Sequence, residues 1–114
     1  MSVFKKMTIA TLALLSVVST SANAYDTQNR RIRINNYSSL PVYHLYISNA
    51  GSRRWNSDQL GASESIGSNR SQVWNVDDGS GYCRFDFKFV MSDGSTRYKY
   101  NYNVCEASYL DVID

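Results

Sequence analysis

Residues 82–105 read YCRFDFKFVMSDGSTRYKYNYNVC, and their alternation decides the fold. From Tyr82 to Met91, one face carries Cys83, Phe85, Phe87, Phe89 and Met91, and the other Tyr82, Arg84, Asp86, Lys88 and Val90. A period of two with one apolar face is the mark of a half-buried strand. Ser92-Asp93-Gly94-Ser95 follows, and Asp-Gly accepts the positive φ angles of a type I′ hairpin turn. The return strand sets Thr96, Tyr98, Tyr100, Tyr102 and Val104 on one face, with Arg97, Lys99, Asn101 and Asn103 on the other. A two-residue turn at Asp93-Gly94 pairs Phe89 with Tyr98, Phe87 with Tyr100, Phe85 with Tyr102 and Cys83 with Val104. A three-residue turn aligns Cys83 directly with Cys105, but puts the phenylalanines opposite Lys99, Asn101 and Asn103. Aromatic pairs contribute roughly 0.2–1 kcal/mol each beyond their burial, so three of them outweigh one cysteine alignment. The expected register is therefore the apolar one, with Cys105 reaching Cys83 through a bulge or strand end near Val104.

Other short runs extend the pattern on both sides. Arg30 to Asn35 alternates basic residues with Ile32 and Ile34, and Asn36-Tyr37-Ser38-Ser39 is a turn. Pro41 opens a second strand through Ser48, in which Tyr43, Leu45 and Ile47 share a face; proline is tolerated at a strand's first residue. Asn49 to Ser71 is rich in Gly, Ser and Asn, with Trp55 and Leu60 as its large apolar residues. It reads as a long ordered loop, with one helical turn capped by Asn56 or Ser57 and ending at Gly61, and a small strand near Ser63–Ile66. Gln72 to Val76 and Tyr109 to Ile113 complete the set. No run holds a helical period over three turns, so six or seven strands predict an all-β fold, a small antiparallel β-sandwich.

The two ends of the chain differ in kind. Lys5 and Lys6 precede a dozen mostly apolar residues, Met7–Val18, and Ala22-Asn23-Ala24 is a small-x-small cleavage site. That is a bacterial signal peptide, too short to span a bilayer, and cleavage is expected after Ala24. The predicted organisation is a signal peptide over 1–24 and a periplasmic or secreted domain over 25–114, with no stable membrane insertion after cleavage. Lys5 and Lys6 leave with the leader, taking Lys and Arg from 12 to 10 against 10 Asp and Glu. A neutral domain lacks the footprint of a nucleic-acid binder. The chain's two cysteines, Cys83 and Cys105, reach an oxidising compartment and are expected to form one disulfide.

In the order Leu45-Tyr46-Ile47-Ser48, Trp55-x-x-Asp58-x-Leu60-Gly61, Cys83-x-Phe85-Asp86, Asp93-Gly94 and Val104-Cys105, the chain resembles a group of small secreted bacterial β domains. Relatives often carry Gly where this chain has Asn56, and Pro where it has Asn49. The resemblance implies a secreted β-sandwich and brings no activity with it.

Chemistry is sparse. His44 is the one histidine and sits mid-strand, no G-x-S-x-G frames a serine, and Asp77-Asp78 beside Gly79 is turn chemistry. Asp77, Asp78, Asp86 and Asp93 are oxygen ligands that a calcium ion would need gathered at one end of the sandwich. No cofactor and no metal is expected. Exposed aromatics are the remaining resource, with Tyr37, Trp55, Trp74 and Tyr82 as a candidate platform for sugars, or an edge strand as a peptide site. The expected function is a non-catalytic binding domain for an envelope or extracellular partner, protein or carbohydrate; the alternative is a small hydrolase with an unrecognised site. Trp55, Asp58, Leu60 and Gly61 are the candidate loop anchor or binding surface. As an anchor, Trp55 and Leu60 cover an open end of the sandwich while Asp58 accepts from nearby backbone N–H groups.

Overall fold

The computed structural model describes residues 26–114, so the expected leader and cleavage site lie outside the described residues. Six strands form: β1 (Arg31–Asn36), β2 (Val42–Asn49), β3 (Arg70–Asn75), β4 (Arg84–Met91), β5 (Thr96–Asn103) and β6 (Tyr109–Val112). They make two three-stranded sheets, ordered β3-β1-β6 and β2-β4-β5. All pairings are antiparallel but one: β6 runs parallel to β1, with Ile34 opposite Leu110, which corrects the expectation of a wholly antiparallel sandwich.

The two sheets share one apolar core. Ile32, Ile34, Leu110 and Val112 come from one sheet, and Val42, Leu45, Ile47, Phe85, Phe87, Phe89 and Met91 from the other. Phe87 stacks on Phe89 at 6.2 Å and meets Tyr102 edge-on at 6.3 Å.

The hairpin takes neither expected register along its outer half. Its connection has three residues, Ser92-Asp93-Gly94: the Met91 N–H donates to Ser95 O at 2.8 Å, the Gly94 N–H to Met91 O at 2.9 Å, and Gly94 has φ 86°. A turn closed by a left-handed glycine is the common three-residue hairpin. It sets Phe89 opposite Arg97, Phe87 opposite Lys99 and Lys88 opposite Tyr98. A bulge then adds one residue to β5, where Asn101 takes φ 57° and donates its N–H to Asp86 Oδ1 at 2.8 Å. Asparagine tolerates that left-handed conformation better than most side chains. Beyond the bulge the expected alignment returns, with Phe85 opposite Tyr102 and the Val104 N–H bonded to Cys83 O. Cys83 and Cys105 are joined there at a Cα–Cα distance of 5.3 Å, past the end of β5.

A second bulge, at Tyr43, separates Val42 from His44. It breaks the expected common face of Tyr43, Leu45 and Ile47: Val42, Leu45 and Ile47 are buried, while Tyr43 is exposed. The helical turn expected at 56–61 is absent among the described residues, because Asn56 and Asp58 spend their side chains on β2. The expected strand at 63–66 shrinks to a bridge, in which Ile66 and Val42 exchange both backbone bonds. Trp74 and Val76 turn inward and Val73 outward, the facing that residues 72–76 left open.

Arg30 ties the leading segment to the disulfide end. Its guanidinium is buried and forks onto both oxygens of Asp26 at 2.8 and 2.9 Å, and donates to Tyr82 O and Gly81 O. The hydrogen bond from Arg30 leads the causes that hold the Asp26 carboxyl down at about 2. A depressed carboxylate stabilises the fold above its ordinary pKa, and the contribution is lost as pH falls through the folded value. Asp26→Asn should therefore lower the urea midpoint at pH 5, and the gap to the wild type should close as pH approaches 2. A gap independent of pH would mean that the fork does not contribute through charge.

Candidate functional site

The register of the hairpin decides what lies on the outer face of the β2-β4-β5 sheet. Side chains directly opposite each other on paired strands point the same way. Tyr46, Lys88 and Tyr98 therefore form one row across the three strands, with Ser48 and Asp86 beside it. Tyr100 follows Tyr98 on β5 and stacks on it, with ring centroids 5.3 Å apart and planes within 9°. Both rings are on the outside, Tyr98 47% and Tyr100 60% exposed. The Lys88 ammonium lies over the Tyr46 ring at 5.4 Å.

Trp55 joins this face from the loop after β2, with its ring centroid 6.4 Å from Tyr98 and the planes tilted by 35°. Beside it Ser48, Arg53, Arg54, Asp86 and Tyr100 line a shallow hollow of about 200 Å³. The arrangement presents aromatic faces and edges, phenol hydroxyls and a few charges along one flat surface. Such a surface holds a partner by stacking and by hydrogen bonds at its rim.

The loop that delivers Trp55 is built as a cover for the free edge of β2. An unpaired strand edge leaves backbone donors and acceptors open to other chains. Here the Asn56 amide donates to Ile47 O at 2.8 Å, the Gln59 N–H to Leu45 O at 2.7 Å, and Ile66 pairs with Val42. Asp58 Oδ1 accepts from the Leu45 N–H at 2.9 Å and the Leu60 N–H at 3.0 Å, and its Oδ2 lies 2.6 Å from His44 Nδ1. Burial pushes the Asp58 carboxyl up, but these bonds outweigh it and hold the group below the ordinary carboxylate range. Leu60 enters the core at 1% exposed, and Gly61 takes φ 71° as the chain turns away.

The residues singled out in the sequence thus separate. Asp58 and Leu60 are tied into β2 and the core. Trp55 lies half-buried on the outer sheet face, not over an open end of the sandwich. Its three expected platform partners do not join it. Tyr37 lies on the opposite sheet's face, Tyr82 packs on Gly51, and Trp74 lies on the β3 flank beside Asp77 and Asp78. Tyr46, Lys88, Tyr98 and Tyr100 are the residues that sequence reasoning missed. The signal was Asn101, a left-handed-tolerant residue inside an otherwise regular strand.

The carboxylates are occupied locally. Asp77 and Asp78 accept from Gly79 and Ser80, Asp86 from Asn101, and Asp93 from Ser95. Among the described residues no three His, Cys, Asp or Glu side chains gather as a metal site. His44 and Asp58 form the one acid–imidazole pair there, beside a hollow lined by Ser63, Glu64 and Ser65.

No family model matches the chain, and no curated protein does. Among solved structures it is similar to an NMR structure of a protein from Eubacterium rectale, at 18% identity. The match covers 80% of this chain and 82% of that one, with a TM-score of 0.50. At that identity the likeness concerns the fold alone.

Proposed function

We propose that this protein is a non-catalytic binding domain, exported by its leader to the periplasm or the medium. There it engages an envelope or extracellular partner, a carbohydrate chain or a protein surface, through the outer face of β2-β4-β5. One observation carries the reading: Tyr98 and Tyr100 stack on each other in the open, beside Trp55, on a face that contributes nothing to the core. Large aromatics left outside in a row are costly to solubility and suit an interface. The ordered motifs shared with small secreted bacterial β domains agree with export.

The test is the Tyr98→Ala/Tyr100→Ala double variant, in protein whose N-terminus, read after export, begins at Tyr25. Exposed substitutions should move the melting temperature by only about 3 °C. Retention on insoluble cell-wall glycan, or on immobilised envelope proteins, should drop at least about tenfold. Equal retention of both proteins would overturn the assignment of this face.

A hydrolytic reading rests on one observation, the 2.6 Å contact of His44 Nδ1 with Asp58, which orients an imidazole next to Ser63 and Ser65. It predicts turnover of ester or glycoside substrates that His44→Ala abolishes without loss of fold. The edge-covering bonds of Asp58 account for the same geometry without a reaction, so the binding reading is preferred.

A further inference from the structure

The other sheet also has an outer face, and β1 runs through its centre. Arg31, Arg33 and Asn35 project from it at every second residue, with Val73 opposite Arg33 on β3 and Tyr109 opposite it on β6. Along a strand, two such residues stand about 6.6 Å apart. Two guanidinium groups side by side repel, and a sheet can offset that with an acid directly across. This one does not. Among the described residues, no carboxylate lies within ion-pair distance of Arg31 or Arg33. The acid on the face, Asp111, accepts instead from the Asn35 amide at 2.9 Å. The same residues line an open trough of about 630 Å³, with Tyr37 (59% exposed) and Tyr109 (55% exposed) among its walls.

We infer that this trough is a second binding site, for a carboxylate-bearing sugar within an acidic glycan, with Arg33 and Arg31 taking the carboxylates and Tyr37 and Tyr109 flanking the rings. The guanidinium fork matches a carboxylate with two parallel bonds. Tyrosine walls add apolar contact to the faces of a pyranose ring, which a bare phosphate does not have. The trough is open, so a chain can lie along it and be held mid-length. It sits on the face of a central strand, where no backbone edge is free, which disfavours a peptide added as a strand. The site lies on the sheet opposite the aromatic row and does not rest on the function proposed for that row.

The experiment is an amide NMR titration of the mature, disulfide-bonded protein with trigalacturonate, with neutral trigalactose and inorganic phosphate as separate arms. An exposed site of this kind should show a dissociation constant on the order of 0.1–1 mM, weakening with added salt. Shifts should centre on Arg33, Val73 and Tyr109. R33Q should weaken the acidic sugar at least about tenfold, while the Tyr98→Ala/Tyr100→Ala protein should bind it as the wild type does. Shifts centred on Tyr98 and Tyr100, or none at saturating trigalacturonate, would overturn the site. Equal binding of trigalactose would remove the role of the arginines, and phosphate binding as tight as the sugar would remove that of the tyrosines; either result defeats the inference.

Discussion

Asp58→Ala should cost about 3 kcal/mol and lower the melting temperature by roughly 12–24 °C. Three bonds depend on this side chain: those from the Leu45 and Leu60 N–H groups, and that with the His44 ring. Bonds to a charged acceptor are the stronger kind, and the loss leaves the β2 edge with an orphaned donor at Leu45. It also frees Leu60, whose side chain is buried in the core two residues on. Asp58→Asn keeps one acceptor oxygen for the two backbone groups and should cost only about 1 kcal/mol. His44→Ala removes a single bond from a side chain that is 46% exposed, and should cost less than about 1 kcal/mol. Because the Asp58 carboxyl is held low, its contribution is present above the ordinary carboxylate range and fades as pH falls below it. Thermal melts of the three variants at neutral pH decide the matter. If Asp58→Ala melted within a few degrees of the wild type, the 56–60 segment would not be what closes the sheet edge.

Removing the disulfide by Cys83→Ser with Cys105→Ser should have an effect of similar size. The bridge spans a sequence separation of 22, for which the chain-entropy account gives about 3 kcal/mol. A domain of this length has a total stability on the order of 5–13 kcal/mol, so the loss removes a large part of it. Guanidinium unfolding of oxidised and reduced wild-type protein, alongside the double variant, measures it. The two reduced forms should agree with each other and fall below the oxidised one. Equality of all three would show that the hairpin, with its buried phenylalanines, closes without help. Arg30 secures the same end of the hairpin. Its side chain holds the carbonyls of Gly81 and Tyr82, next to Cys83, so the bridge fastens a segment already clamped to the start of the domain.

Much of the architecture was legible from local chemistry. Alternation placed six strands, because a half-buried strand needs nothing but a period of two to declare itself. Two cysteines at the ends of one hairpin left a single intramolecular pairing. Asp58, in a polar loop too long to leave its backbone unpartnered, was readable as an acceptor of N–H bonds, and Leu60 as an apolar anchor of that loop, although it was expected over an open end of the sandwich and lies in the core.

The face of the tyrosines was not legible. Counting aromatic pairs across the hairpin assumed that the phenylalanines of β4 look to β5 for their cover. In the folded protein that cover comes from the opposite sheet, from Ile32, Ile34 and Leu110, and the cross-strand partner matters less. Arg97 and Lys99 can then stand opposite Phe89 and Phe87, because β5 is an edge strand whose side chains reach water at the rim. Arg97 Nε finds a partner there, donating to Ile113 O just past β6. One residue of offset sent Tyr98 and Tyr100 to the outside, and the Asn101 bulge restored the alignment in time for Tyr102 and the disulfide. The parallel pairing of β6 with β1 was hidden for the same reason. Periodicity states which side of a strand is apolar, and only the packing of one sheet on the other selects the neighbour that the strand lies beside.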